Sequence, residues 1–238
     1  MKVSFFSTCL VDQLFPQVGA SAVRLLRRLG VEVDCDPRQT CCGQPAFNTG
    51  YASEARKVAS YFIKVYRDVE TIVVPSGSCG AMIKCHMLEI FPKGSPQYQE
   101  VLAIASKTFE LSDFLVSKLG IVETGARFTG TVTYHDSCHQ LRELGISEQP
   151  RALIRAVEGI QFVEMKNSTR CCGFGGTFSV KFPGISAELG RDKLRWIQES
   201  NAEYVIANDV SCLMHLDGLL KRERIPVETM HLAELLVK

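Results

Sequence analysis

Eight of the ten cysteines in this chain fall into two sets with nearly the same spacing. In each set a single cysteine is followed 32 or 33 positions later by Cys-Cys-Gly, and a last cysteine comes 37 or 40 positions after that pair. Cysteines that only pack in a core need no matched register across a duplication, whereas thiolates that converge on a metal or cluster do. The spacing therefore indicates two thiolate-rich centres. The sets are Cys9, Cys41, Cys42 and Cys79, and Cys138, Cys171, Cys172 and Cys212.

The type of cysteine spacing indicates which metal chemistry is favoured. Soft thiolates select zinc, copper(I) or iron–sulfur clusters. Structural zinc sites are typically built from compact Cys-x₂₋₄-Cys knuckles, and this chain has no Cys-x-x-Cys. Adjacent cysteines suit a cluster with several iron atoms, so the sequence predicts a [4Fe–4S] cluster, one or two per chain. Two alternatives stay open: thiol–disulfide exchange through the vicinal cysteines, and a structural zinc-binding scaffold.

Glycines follow both cysteine pairs. Gly43 stands after the first pair, and Gly173, Gly175 and Gly176 stand after the second. Small residues at these positions favour a close approach of backbone N–H groups to cluster sulfurs, where they stabilise negative charge. The second glycine group is neither a dinucleotide-binding fingerprint nor a Walker motif, so a nucleotide site is not predicted.

Several further residues could belong to a site or simply pack. Cys35 and Cys85 lie outside the repeated pattern and are predicted to be packing residues. His135 and His139 flank the first cysteine of the second set. Either histidine could donate a hydrogen bond to cluster sulfur, or His135 could be a strand-end residue satisfied by Asp136.

Composition excludes several classes of protein. The chain has 238 residues, 46% of them apolar, which is enough for a real core without disulfide staples. A net charge of +1 leaves no electrostatic footprint for nucleic acid. No stretch has the length of a membrane span, and the first apolar run is too short for a signal peptide. We therefore expect a cytoplasmic protein without membrane insertion or nucleic-acid binding. The repeat predicts two domains, 1–120 and 121–238.

The elements that position the cysteines alternate between strands and helices. Short β-branched and aromatic runs precede the single cysteines, as expected for buried parallel strands, and ligands gather beyond the carboxyl ends of such strands. The predicted fold is α/β, with two pseudo-repeated three-layer domains, each a small, mainly parallel sheet flanked by helices. A helix over 97–119 is predicted to join the halves. The predicted strands are 2–7, 31–33, 71–75, 131–135, 160–163, 204–207 and 226–230, and the other main helices are 20–29, 53–66, 184–200 and 211–222.

The repeated pattern resembles the CCG-type cysteine-rich proteins, which include the cysteine-rich component of heterodisulfide reductase and the iron–sulfur component of glycolate oxidase. The strings CCGQPA at 41–46 and CCGFGGTFSVK at 171–181 are most similar to lactate-utilization members of that family. The resemblance covers essentially the whole chain. It implies a cytoplasmic iron–sulfur electron-transfer subunit that works with iron–sulfur partner subunits to oxidise L-lactate to pyruvate, rather than a complete enzyme by itself.

The chain departs from that family pattern at one position in each repeat. The heterodisulfide reductase component ends each repeat with Cys-x-x-Cys, and here Met82 and His215 replace the last cysteine. A thioether is a poor cluster ligand, so Met82 is predicted to pack in the core, whereas His215 is a candidate ligand because imidazole can bind cluster iron. No arginine stands in an evident motif for binding the lactate carboxylate; Arg170, beside the second pair, is the candidate to test.

Overall fold

Two four-stranded parallel sheets form the framework of the molecule, one in each half of the chain. The computed structural model describes residues 1–238. The strands are β1 (Lys2–Phe5), β2 (Glu32–Asp34), β3 (Ile72–Val74), β4 (Thr108–Glu110), β5 (Arg127–Tyr134), β6 (Glu158–Phe162), β7 (Tyr204–Ala207) and β8 (Glu228–His231). The first sheet has the order β2-β1-β3-β4 and the second the order β6-β5-β7-β8. Every neighbouring pair is parallel. The predicted α/β class with two similar domains is confirmed.

Helices connect the strands and cover the sheets. They are α1 (Cys9–Leu14), α2 (Pro16–Arg28), α3 (Gln44–Asn48), α4 (Ala52–Tyr66), α5 (Gly77–Ala81), α6 (Met87–Ile90), α7 (Pro96–Ser106), α8 (Leu111–Asp113), α9 (Cys138–Arg142), α10 (Glu148–Arg155), α11 (Thr177–Lys181), α12 (Pro183–Glu199), α13 (Val210–Glu223) and α14 (Leu232–Leu235). Two π-helical turns, Met82–His86 and Phe114–Lys118, follow α5 and α8. None of these helices combines the length and the apolar character that crossing a membrane requires.

One hydrophobic cluster joins the two halves. It has 22 buried residues and contains Val3 and Phe5 from β1 together with Val132 and Tyr134 from β5. The close approach continues outside this cluster, where a Cβ on Gly77 of α5 would lie 2.4 Å from the Gln140 Cβ of α9. Burial of both sheets against each other holds the halves in one arrangement. The predicted boundary between residues 120 and 121 stays a prediction.

The predicted helix over 97–119 is wrong at 107–110, and helical structure resumes over 111–118 in α8 and the second π-helical turn. Helix α7 ends at Ser106, and strand β4 follows and pairs with β3 at the edge of the first sheet. Thr108 and Glu110 are both buried there, and the Ile72 N–H donates to the Lys107 carbonyl at 2.9 Å. A three-residue strand leaves almost no periodic signal, and pairing with β3 outweighs the local helix pattern.

A buried carboxyl group ends β4 at the junction of the halves. Glu110 Oε1 accepts a hydrogen bond from Asn208 Nδ2 at 2.9 Å, and its Oε2 accepts from the Ser112 N–H at 2.8 Å. In the second half, His231 ends β8 and its Nε2 donates to the Pro75 carbonyl at 3.1 Å. The last strand of each sheet therefore makes one buried polar contact with the opposite half.

We expect the substitution Glu110→Gln to change how stability depends on pH. Burial raises the pKa of Glu110 from 4.5 to about 7. Between these values the folded state keeps a proton that the unfolded state releases, so the wild-type free energy of unfolding falls as pH rises through this window. A neutral glutamine removes that loss. Between pH 4 and pH 8 the free energy of unfolding of the variant should therefore rise by about 3 kcal/mol relative to that of the wild type.

Urea unfolding of both proteins at several pH values measures this difference. Comparing the variant with the wild type cancels the contribution of every other titrating group, including the thiols. A difference in unfolding free energy that stays constant from pH 4 to pH 8 would contradict the prediction.

Candidate metal centre

The single cysteines of both sets lie just beyond the carboxyl ends of the inner strands. Cys9 follows β1 and Cys138 follows β5, and each is the first residue of a helix. Cys79 lies in α5 after β3, and Cys212 lies in α13 after β7. These are the positions at which open parallel sheets gather their ligands. The two sets therefore occupy equivalent places in the two halves.

Side chains at the helix starts join the two sets. Ser76 caps α5 by accepting a hydrogen bond from the Cys79 N–H, and Asp209 caps α13 by accepting from the Ser211 N–H. Asp209 Oδ2 also accepts from the Ser78 N–H at 2.8 Å and from Ser76 Oγ at 3.2 Å. A carboxylate of the second half thus fixes the helix start that carries a cysteine of the first half.

Each vicinal cysteine pair lies in a loop. The glycine after the pair has a left-handed backbone conformation, which turns the chain back toward the sulfur atoms. Gly43 has φ 91° and Gly173 has φ 95°, a region that residues with a Cβ rarely adopt. The Gly43 N–H donates to Cys41 Sγ at 3.4 Å, and the Gly173 N–H donates to Cys171 Sγ at 3.3 Å. In both halves a backbone N–H therefore reaches a cysteine sulfur, and its predicted role toward cluster sulfur stays a prediction.

All eight cysteines of the repeated pattern line one cavity between the halves. Its volume is about 220 Å³, and Gly175 and Gly176 also line it. Cys42 Sγ lies 3.3 Å from Cys79 Sγ, and all ten cysteines of the chain are free thiols. The structure therefore places both cysteine sets in one space between the halves.

Hydrogen bonding between the thiols lowers the pKa of Cys41 in the first set, and of Cys171 and Cys212 in the second. Contacts with the Cys42 and Cys9 thiols hold the pKa of Cys41 far below its ordinary value. The corresponding contacts lower the pKa of Cys171 in the second set. Thiolate is the form in which cysteine binds metals, so each set is already biased toward metal binding.

Three other candidate residues lie at different distances from the cavity. His139 lines it, with Nδ1 3.6 Å from Cys138 Sγ. His215 does not line it, and its Nε2 faces the Ser186 carbonyl at 3.4 Å. Arg170 is exposed and does not line it either. Of these three residues, the structure brings only His139 to the cysteines of the cavity.

His135 lies close to two cysteines of the second set. Its side chain is fully buried, and neither ring nitrogen has a hydrogen-bond partner. The expectation that Asp136 satisfies it is wrong, because both carboxylate oxygens of Asp136 bind Arg151, at 2.8 and 2.7 Å. The donor atoms of His135, Cys172 and Cys212 all lie within 4.8 Å of one another.

The residues expected to pack differ in their burial. Met82 is fully buried in a core cluster, as predicted. Cys35 is exposed, so its assignment as a packing residue is wrong, since it follows the short edge strand β2 rather than an inner strand. Cys85 is half-buried in the first π-helical turn and lies outside the cavity.

A second polar group beside the cavity was not apparent from sequence spacing. His86 Nδ1 lies 2.8 Å from Glu89, and its Nε2 lies 2.8 Å from Glu143. His139 Nε2 is 3.8 Å from the other oxygen of Glu143. Two carboxylates therefore account for both nitrogens of His86, and these polar contacts join α9 to the first half.

The donor atoms in the cavity fit a metal or iron–sulfur group. Each set offers four thiols, a number sufficient for a [4Fe–4S] cluster. Each also presents a backbone N–H to sulfur, and the second adds a buried, unpaired imidazole. Two sheets of the same topology that direct eight cysteines into one cavity define a duplicated cysteine-rich α/β protein.

Comparison with known proteins gives the family. The family model described as CCG, cysteine-rich domain, matches residues 3–84 and 132–217, and each matched segment contains one cysteine set. Lactate utilization protein A of Oceanobacillus iheyensis is 45% identical over 99% of this chain and 96% of its own length. The protein of the same name from Geobacillus sp. is 44% identical over 99% of both chains. The chain therefore belongs to the CCG cysteine-rich family, among the lactate utilization protein A sequences.

A solved structure shows the same fold at low sequence identity. A hypothetical protein from Helicobacter pylori superimposes with a TM-score of 0.65 at 11% identity. The match covers 99% of this chain and 48% of that chain. At this identity the likeness supports the fold alone.

Proposed function

We propose that this chain is the iron–sulfur electron-transfer subunit of a cytoplasmic system that oxidises L-lactate to pyruvate. One observation carries the proposal: all eight cysteines of the repeated pattern line a single cavity. Relatives that match this chain over nearly its whole length carry the name lactate utilization protein A. Thiolate ligands of this number and softness are those that iron–sulfur clusters use.

Each cysteine set would hold one [4Fe–4S] cluster. When bound, such a group supplies one-electron transfer. The Gly43 and Gly173 N–H groups, which already donate to thiol sulfur, would stabilise the negative charge of the bound group. Oxidation of lactate to pyruvate releases two electrons, and two one-electron centres in one cavity match that requirement. The ligands would be Cys9, Cys41, Cys42 and Cys79 at the first centre, and Cys138, Cys171, Cys172 and Cys212 at the second.

Lactate itself would bind on an iron–sulfur partner subunit. No arginine or lysine lines the cavity, and Asp209 is its one acidic lining residue. A buried carboxylate usually pairs with a bidentate arginine, and the carboxylate of Asp209 would repel the carboxylate of lactate. The sequence also carries no flavin or nicotinamide signature, so the acceptor of the substrate hydride would belong to the partner as well.

The first experiment is to measure iron, zinc and acid-labile sulfide, together with the visible spectrum, on protein purified without oxygen. We expect about four to eight irons per chain with matching sulfide, and broad absorption that dithionite bleaches. Stoichiometric zinc without sulfide would contradict the proposal and would favour a structural zinc-binding scaffold. Protein with neither metal, but with vicinal thiols that oxidise reversibly, would instead favour disulfide exchange.

A further inference from the structure

Phe6 and His135 occupy the same position in the two halves. Each stands three residues before the first cysteine of its set, and each is fully buried. The Phe6 N–H donates to the Val73 carbonyl at 2.9 Å, and the His135 N–H donates to the Ile206 carbonyl at 2.9 Å. The backbone is therefore equivalent at these two residues, and only the side chain differs.

The surroundings account for the phenylalanine but not for the histidine. The Phe6 ring packs edge-on against Phe62 with centroids 5.2 Å apart, and against Tyr66 at 5.8 Å. His135 has neither a hydrogen-bond partner nor an exposed edge. Burying an unpaired polar side chain is unfavourable, and native proteins rarely keep one without a compensating contact. The imidazole does not line the cavity itself, but the thiols of Cys172 and Cys212 beside it do, and a group bound to these thiols would supply that contact.

Two thiols of the second cysteine set lie near the histidine. The donor atoms of His135, Cys172 and Cys212 lie within 4.8 Å of one another, and all three residues are buried. Imidazole nitrogen and thiolate sulfur together form mixed ligand sets at iron. The three groups are thus close enough, and of the right chemistry, to bind one metal centre.

We propose that His135 is a fifth protein ligand of the second centre, which therefore has four cysteines and one histidine, whereas cysteines alone hold the first. This inference rests on the proposed function, because it requires a cluster at the second set. Imidazole ligation changes the reduction potential of an iron–sulfur centre. The two centres therefore differ in reduction potential, although each has four cysteines.

Pulsed electron paramagnetic resonance on reduced protein labelled with ¹⁵N-histidine tests the ligand directly. The wild type should show a strong ¹⁵N coupling typical of a directly bound imidazole. This coupling should be lost in His135→Phe, which installs the residue of the first half. It should persist in His139→Phe, the matched control, because His139 lies beside Cys138 but outside the group formed by His135 and two cysteines.

A redox titration gives a second readout. The wild type should show two reduction steps, and His135→Phe should shift one of them while leaving the other in place. A cluster-loaded wild type with no ¹⁵N coupling, or with only the weak coupling of a hydrogen bond, would overturn the proposal. The wild-type spectrum decides this even if the variant fails to fold. Protein without iron and sulfide would defeat the proposed function itself, which is a different result.

Discussion

The substitution Cys172→Ser is expected to remove about half of the iron and sulfide that the protein binds, leaving one centre of two. Cys172 is buried, with 3% of its surface exposed, and lies in the cavity among the thiols of the second set. A serine hydroxyl is a hard oxygen ligand that binds cluster iron poorly. The sheets and the shared core should stay intact, because serine has nearly the size of cysteine and Cys172 packs in a nine-residue cluster of the second half, outside the cluster that joins the halves. Iron and sulfide analysis with far-ultraviolet circular dichroism measures both parts of the prediction.

Two further cysteine variants make this experiment specific. Cys42→Ser changes the equivalent residue of the first set and should remove the other half of the iron. Cys85→Ser changes a half-buried cysteine outside the cavity and should leave the iron content unchanged. Unchanged iron in Cys172→Ser would exclude that residue as a ligand. A fall in iron in Cys85→Ser would show that the ligand set extends beyond the repeated pattern.

The substitution Gly173→Ala is expected to destabilise the second half by about 3 kcal/mol and to lower its iron content. The backbone at Gly173 has φ 95°, which strains any residue with a Cβ. The added Cβ would lie 2.3 Å from the Ser186 carbonyl oxygen of α12, so the backbone itself has to move. That movement would pull the N–H away from Cys171 Sγ.

Gly43→Ala is the matched control for this variant. Gly43 has a similar φ of 91°, but its nearest neighbour would be the Val58 side chain at 3.3 Å, which can shift slightly. We expect only the backbone strain, about 1 kcal/mol. Urea unfolding and iron content of both variants measure the contrast. Equal destabilisation by the two substitutions would show that contact with α12 is not the cause.

Cysteine spacing was enough to predict which thiols of this protein form each of the two sets. A thiol that binds a shared group must stand at a defined place after a strand, and that constraint leaves the same interval in both repeats. The runs before Cys9 and Cys138 likewise predicted inner strands of parallel sheets. These features can be predicted from the sequence because each depends on the order of residues along the chain.

Other features required the folded chain. Strand β4 is only three residues long, and its pairing with β3 comes from contacts made 36 positions away along the chain, between Ile72 and Thr108. The unpaired state of His135 depends on Arg151, which takes both oxygens of the neighbouring Asp136. A local sequence pattern does not show whether a possible hydrogen-bond partner is already bound by a third residue.

The sequence by itself determined the α/β class, the duplication, and the eight cysteines that belong to two matched sets. Only the tertiary structure decided that both sets share one cavity, that Cys35 is exposed, and that His135 rather than His215 faces the second set. The reason is physical: spacing along the chain places a residue on its own strand or helix, whereas distances between sets depend on how the two sheets pack through a common core.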